Sequence, residues 1–126
     1  MALIARLTAT AAVLALIAGC PRKGPPPRFD PDAPVVVIVR NNNFQDVDVF
    51  AFGDGGQRRL GTVVAHTSGT FSLTPSFIGR GNDLRLVAEP VANRSGGVQA
   101  RVGVLPGQQI TWMLESSLTR SYVSVR

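Results

Sequence analysis

This chain is poor in almost every residue that usually carries chemistry. Its 126 residues include one cysteine, one histidine, one tryptophan and one tyrosine. With Cys20 as the sole cysteine, no intrachain disulfide can form, and a packed core must hold the fold. The sole histidine, His66, opens the turn-like run His66-Thr67-Ser68-Gly69. It lacks the second imidazole or the thiol that a zinc site or a hydrolytic triad would need beside it. A copper site of two histidines and a cysteine is excluded for the same reason. No apolar run approaches the ~20 residues that a membrane-spanning helix requires.

Carboxylates are also thinly spread. Asp46, Asp48 and Asp54 superficially resemble calcium ligands, but they miss the every-second-position ladder ending in a bidentate Glu that an EF-hand loop uses. A solvated strand start and a hairpin turn account for them. Glu89 and Glu115 fall on different predicted strands, without the paired-carboxylate cleft of a glycosidase. The expectation is a non-enzyme with no metal and no cofactor.

Charge is lopsided: 13 Lys+Arg against 8 Asp+Glu give +5, and Lys23 is the only lysine. A basic balance can mark a nucleic-acid binder. Here the arginines are scattered singly, apart from Arg22-Lys23 and Arg58-Arg59, and no recognition helix or aromatic-glycine RNA motif accompanies them. Nucleic acid is therefore not an expected partner. Hydrophobic content of 44% with 17% charged residues fits a globular chain rather than a disordered one, and 13 Gly with 9 Pro point to many turns.

The N-terminus has its own pattern. Arg6 supplies a positive start, Leu7 to Ile17 a short apolar stretch, and Ala18-Gly19 two small residues before Cys20. The run Ile17-Ala18-Gly19-Cys20 resembles the lipobox of bacterial lipoproteins, all four places matching. That resemblance implies cleavage between Gly19 and Cys20, and a diacylated Cys20 as a membrane anchor. Each buried methylene adds about 0.8 kcal/mol, so two acyl chains anchor stably. The next residue is Pro21 rather than the Asp that resembles an inner-membrane retention signal, so the resemblance favours the periplasmic face of the outer membrane. Loss of residues 1–19 removes Arg6 alone and leaves +4, 12 basic against 8 acidic.

Three segments follow from this reading: a signal peptide at 1–19, the lipidated cysteine with a proline-rich linker at 20–33, and a domain at 34–126. Six of the nine prolines fall between Pro21 and Pro34, a composition biased to polyproline II and an extended tether.

From Val35 onward, short apolar runs alternate with Gly, Asn and Pro clusters. Val35 to Val39 reads as a central buried strand, and Asp46 to Phe52 as a half-buried one. Asp54-Gly55-Gly56 signals a hairpin into Arg58 to Ala65, with Leu60, Thr62 and Val64 expected on one face. Thr70 to Thr74 is a further strand, and the loop Pro75 to Asn82 is expected to fold back over one end of the core. Asp83 to Glu89 turns Leu84, Leu86 and Ala88 inward and Arg85 outward, and Val98, Ala100, Val102 and Val104 share a face. Pro106-Gly107 presets a type II turn before Ile110, Trp112 and Leu114, with Trp112 the expected core aromatic. Tyr122 to Val125 is a candidate last edge strand. Strands at this spacing without intervening helices predict an all-β fold, a small antiparallel β-sandwich of about seven short strands. The outline resembles small immunoglobulin-like or transthyretin-like sandwiches, in strand count and turn placement alone.

By subtraction, such a protein works through contacts, as an interaction or assembly module with an envelope protein partner. Phe50 and Phe52 share a face opposite Val47 and Val49 and, with Arg85 and Arg101, form the candidate contact surface. The alternative is a binding module in which arginines such as Arg80, Arg85, Arg94 and Arg101 meet an anionic envelope polymer or lipid head group. Asn93-Arg94-Ser95 matches the N-glycosylation pattern, which rarely applies in the bacterial context that the lipobox implies.

Overall fold

The computed structural model describes Gly19 and residues 28–126, which form eight strands in two four-stranded sheets packed face to face. The strands are β1 (Val35–Asn41), β2 (Val47–Gly53), β3 (Gly56–Val63), β4 (Ser68–Leu73), β5 (Asp83–Pro90), β6 (Val98–Gly103), β7 (Gln109–Leu114) and β8 (Tyr122–Val125). One sheet has the order β4-β1-β7-β8 and the other β3-β2-β5-β6. The all-β sandwich expected from the strand spacing is the observed architecture, with eight strands instead of about seven.

The four central strands build the core by simple alternation. Val35, Val37 and Val39 of β1, Val47, Val49 and Ala51 of β2, Leu84, Leu86 and Ala88 of β5, and Ile110 and Leu114 of β7 are all fully buried, and Trp112 is 1% exposed. Period-two placement puts these side chains between the sheets and leaves the intervening residues on the outer faces. β1 is thus buried on one face only, with Val36 and Ile38 half-covered on the other.

The pairing is antiparallel with one exception: β1 lies parallel to β7, Val37 opposite Ile110 and Val39 opposite Trp112. An all-antiparallel sandwich was expected. The parallel pair arises because the chain crosses between sheets after β6, so that β7 starts from the end at which β1 begins. A type II turn makes that crossing. Gly107 has φ 81° and the Gln108 N–H donates to the Leu105 carbonyl at 3.1 Å, as Pro106-Gly107 predicts.

β3 departs from its expected alternation. Val49 pairs with Gly61 but Phe50 pairs with Arg59, so Leu60 is an extra residue in a β-bulge. The shift turns Val63 inward, at 2% exposure, and Val64 outward, at 53%. Leu60, Thr62 and Val64 therefore do not share a buried face. Gly61 absorbs the irregularity with φ 154°, where a Cβ would sit 3.1 Å from the Phe71 ring.

One end of the sandwich gathers the start of β1, the β2–β3 hairpin, the β4–β5 connection, the β6–β7 turn and the end of β8. The expected loop from Pro75 to Asn82 closes this end, but it begins with a single helical turn, α1 (Pro75–Ile78), with Ile78 3% exposed and the Phe77 carbonyl accepting from Gly55 N–H at 2.9 Å. Gly53 permits that approach, since a Cβ there would collide with the Phe77 carbonyl oxygen.

Candidate contact face

Alternation along β2, β5 and β6 brings the four sequence-derived contact residues onto one surface, the outer face of the β3-β2-β5-β6 sheet. Phe52 lies opposite Arg85 and Phe50 opposite Val87, while Arg85 lies opposite Arg101 on β6. The face reads in rows across the strands. The middle row, Arg59-Phe50-Val87-Gln99, is apolar at its centre, with Phe50 and Val87 half-buried. The row toward the hairpin end is Gln57-Phe52-Arg85-Arg101. The 3-10 turn Arg94–Gly96 stands at one margin of the face, where Arg94 reaches Asp48 and Glu89.

Arg85 stacks on Phe52, its guanidinium carbon 4.2 Å from the ring centroid. Such cation–π contact holds a planar guanidinium in a fixed direction at small entropic cost. Arg85 and Arg101 face each other across two strands, and among the described residues neither forms an ion pair. Like charges directly opposite are unfavourable in a sheet. Asp54 and Asp83 line the same shallow hollow as the two arginines, outside ion-pair distance.

The opposite row is anionic and internally neutralised. Asp48 is 5% exposed, accepts from the Thr62 hydroxyl at 2.5 Å and from Arg59 at 2.9 Å, and has Arg94 at 3.6 Å. The Thr62 hydroxyl is the largest influence holding its carboxyl below the ordinary range, and the two arginines add to it against the opposing effect of burial. Arg94 also reaches Glu89 at 3.7 Å. This network was not anticipated. Its only trace in the sequence is Asp48, Arg59 and Thr62 on neighbouring strands, and the bulge at Leu60 is what aligns them.

The remaining candidates are dispersed. Asp46 is exposed before β2 and accepts from Ala65 N–H at 2.9 Å, whereas Asp54 lies beyond the other end of that strand. His66 is exposed in a turn with φ 58°. Glu89 ends β5 in one sheet and Glu115 follows β7 in the other. Asn93-Arg94-Ser95 lies at a single 3-10 turn, with the Ser95 hydroxyl donating to Asn93 at 2.7 Å. Among the described residues, no group of three His, Cys, Asp or Glu is placed to hold a metal ion. Cys20, Ile17 and Ala18 lie outside the described residues, and no helix among those described is long and apolar enough to cross a membrane.

Two asparagines, Asn41 and Asn43, are buried where the chain turns between β1 and β2. Asn41 donates to the Gln45 and Val63 carbonyls at 2.8 and 3.1 Å and accepts from Asn43 N–H at 3.0 Å. Asn43 donates to the Glu115 and Ser116 carbonyls at 3.1 and 3.0 Å. Together they tie three connections at the end away from the β2–β3 hairpin, and leave Phe44 70% exposed on the pinned loop.

No family model matches the chain, and no curated protein matches it. Among solved structures it is similar to an NMR structure of a protein from Eubacterium rectale, at 16% identity and a TM-score of 0.47, over 79% of this chain and 93% of that one.

Proposed function

We propose that this protein is a membrane-anchored lipoprotein of the cell envelope whose sandwich domain serves as a non-enzymatic interaction or assembly module. The anchor is Cys20, by the lipobox resemblance, and Pro21 after it favours the periplasmic face of the outer membrane. The observation that carries the interaction reading is the outer sheet face, where Phe50, Phe52 and Val87 form an apolar band beside Arg85 and Arg101. Apolar cores with arginine at their margin are the usual chemistry of protein interfaces. The partner is another envelope protein.

A photo-crosslinker at Gln99 on this face, in the membrane, should capture a discrete partner, and one at Thr70 on the opposite sheet should not. Phe50→Ser should abolish the capture while leaving folding intact. Equal capture from both positions, or capture indifferent to Phe50→Ser, would place the interface elsewhere.

The facing pair Arg85 and Arg101, without an ion-pair partner among the described residues, favours a second reading: recognition of an anionic envelope polymer. Binding of that kind weakens steeply with ionic strength, whereas an apolar protein contact does not.

A further inference from the structure

The end of the sandwich at which β1 begins holds a feature separate from the contact face. A hollow of about 470 Å³ opens there, lined by Pro31, Pro75, Ile78, Val104 and Pro106, with Arg80 in its wall. Apolar lining with one convergent charged group is the chemistry of a site for an amphipathic ligand. Arg80 is exposed and, among the described residues, forms no ion pair. The two carboxylates nearest in sequence to Pro31, Asp30 and Asp32, are not among the lining residues.

Large apolar side chains surround the same end. Phe29 is 67% exposed two residues before Pro31, and Leu105 is 49% exposed between Val104 and Pro106. Single exposed apolar residues are ordinary. Two of them beside an apolar hollow, with Arg28 and Arg126 exposed at the same end, form a surface suited to an anionic lipid interface. The opposite end also exposes Phe44, Val64 and Val91, but its hollow is smaller, about 280 Å³, mixes Phe44, Pro90 and Leu118 with Asn43, Asn93 and Ser116, and has no arginine in its wall.

Chain length decides which membrane the hollow meets. Pro31 follows Cys20 by eleven residues, so even a fully extended segment holds the hollow within about 40 Å of the anchor, at ~3.6 Å per residue. We propose that this hollow takes an anionic phospholipid from the membrane that holds the protein's own anchor, its phosphate on Arg80 and its apolar part against Ile78, Val104 and the three prolines. The inference rests on the anchoring proposed above. It gives the domain a fixed orientation, with the Arg80 end on the bilayer and the Phe44 end directed away from it.

The test uses the full chain, expressed, processed and reconstituted into vesicles, with Leu105→Cys labelled by a bimane fluorophore. Acylated Cys20 leaves this as the only reactive thiol. The quencher is a doxyl-labelled phosphatidylcholine, in vesicles with and without phosphatidylglycerol. In phosphatidylglycerol vesicles, quenching at position 105 should clearly exceed that of a Val64→Cys label. Arg80→Gln should lower the docked-to-undocked ratio that the quenching reports about five-fold, the equivalent of one arginine's ~1 kcal/mol at an anionic surface. Equal quenching at both positions, quenching indifferent to head-group charge, or quenching unchanged by Arg80→Gln overturns the inference. The mass of the Cys20 peptide reports anchoring independently. If that peptide carries no acyl chain, the anchor reading falls by itself, and the same protein added to the same vesicles must still show the charge-dependent quenching or the lipid site falls too.

Discussion

At the scale of the residue, Asp48 is the most informative group in the molecule. It is a nearly buried carboxylate on an outer sheet face, sustained by Thr62, Arg59 and Arg94. Its folded pKa lies below the ordinary value, so the unfolded chain binds a proton more readily than the folded one. The stability it contributes is therefore fully present above the ordinary aspartate pKa, and is lost as pH falls through the depressed folded value. Asp48→Asn should destabilise the protein at neutral pH by about 1–3 kcal/mol, the worth of charge-assisted hydrogen bonds, and the gap to wild type should close in acid. Urea unfolding at neutral and acidic pH measures both, and a gap that stays constant with pH would show that the charge contributes nothing. Inward residues such as Leu84 and Trp112 were legible from alternation alone, because burial follows from period two. Asp48 was legible as an outward strand residue but not as a network centre, because its partners come from two other segments. Asn41 and Asn43 were hidden for a related reason: turn preference and side-chain-to-backbone pinning use the same residue type.

At the scale of the element, the central strands were readable and one edge strand was not. β1, β2, β5 and β7 announce themselves by β-branched and alternating apolar residues, and β8 lies where the C-terminal pattern placed it. β3 was misread because a bulge depends on the partner strand, whereas a sequence pattern reports only its own chain. The available signal was Gly61, a glycine interrupting a strand. Gly61 adopts φ 154°, and a side chain there would press on Phe71, the neighbour across the joint between β3 and β4. Gly61→Ala should cost about 1–3 kcal/mol through the disfavoured backbone conformation, whereas Val64→Ala, outward and half-exposed, should stay within about 0.5 kcal/mol. Chemical denaturation of the two variants checks this. Equal effects would mean that β3 is regular and that Val64 faces the core, as simple alternation had placed it. The bulge also bends an edge strand and spoils it as a template for pairing with another chain, while aligning Arg59 and Thr62 on Asp48.

At the scale of the whole molecule, the fold and the proposed anchor occupy different parts of the chain. The fold concerns residues 34–126, where strand spacing sufficed to predict a sandwich but not the parallel β1–β7 pair, a property of sheet crossing that no local pattern encodes. The proposed anchor concerns Ile17 to Cys20 and rests on the lipobox resemblance, in which the thioether to a diacylglycerol needs a sulfur, and Cys20 is the only cysteine in the chain. That uniqueness makes the anchoring reading unusually easy to break. Cys20→Ala removes the only acceptor, and with it the processing that follows acylation. The variant should accumulate as a species larger than the mature wild-type protein, readable by gel mobility and intact mass. Labelled fatty acid should enter the wild-type protein and not the variant. Because the substituted residue lies outside the sandwich, the folded domain should be unchanged, with Trp112 still buried and its emission still blue-shifted. The outcome that defeats the lipoprotein reading is a Cys20→Ala protein that matures to the wild-type size and remains on the membrane. The mature chain would then have to supply the membrane contact without a lipid, and the arginine-bearing hollow beside Pro31 is a surface able to do so.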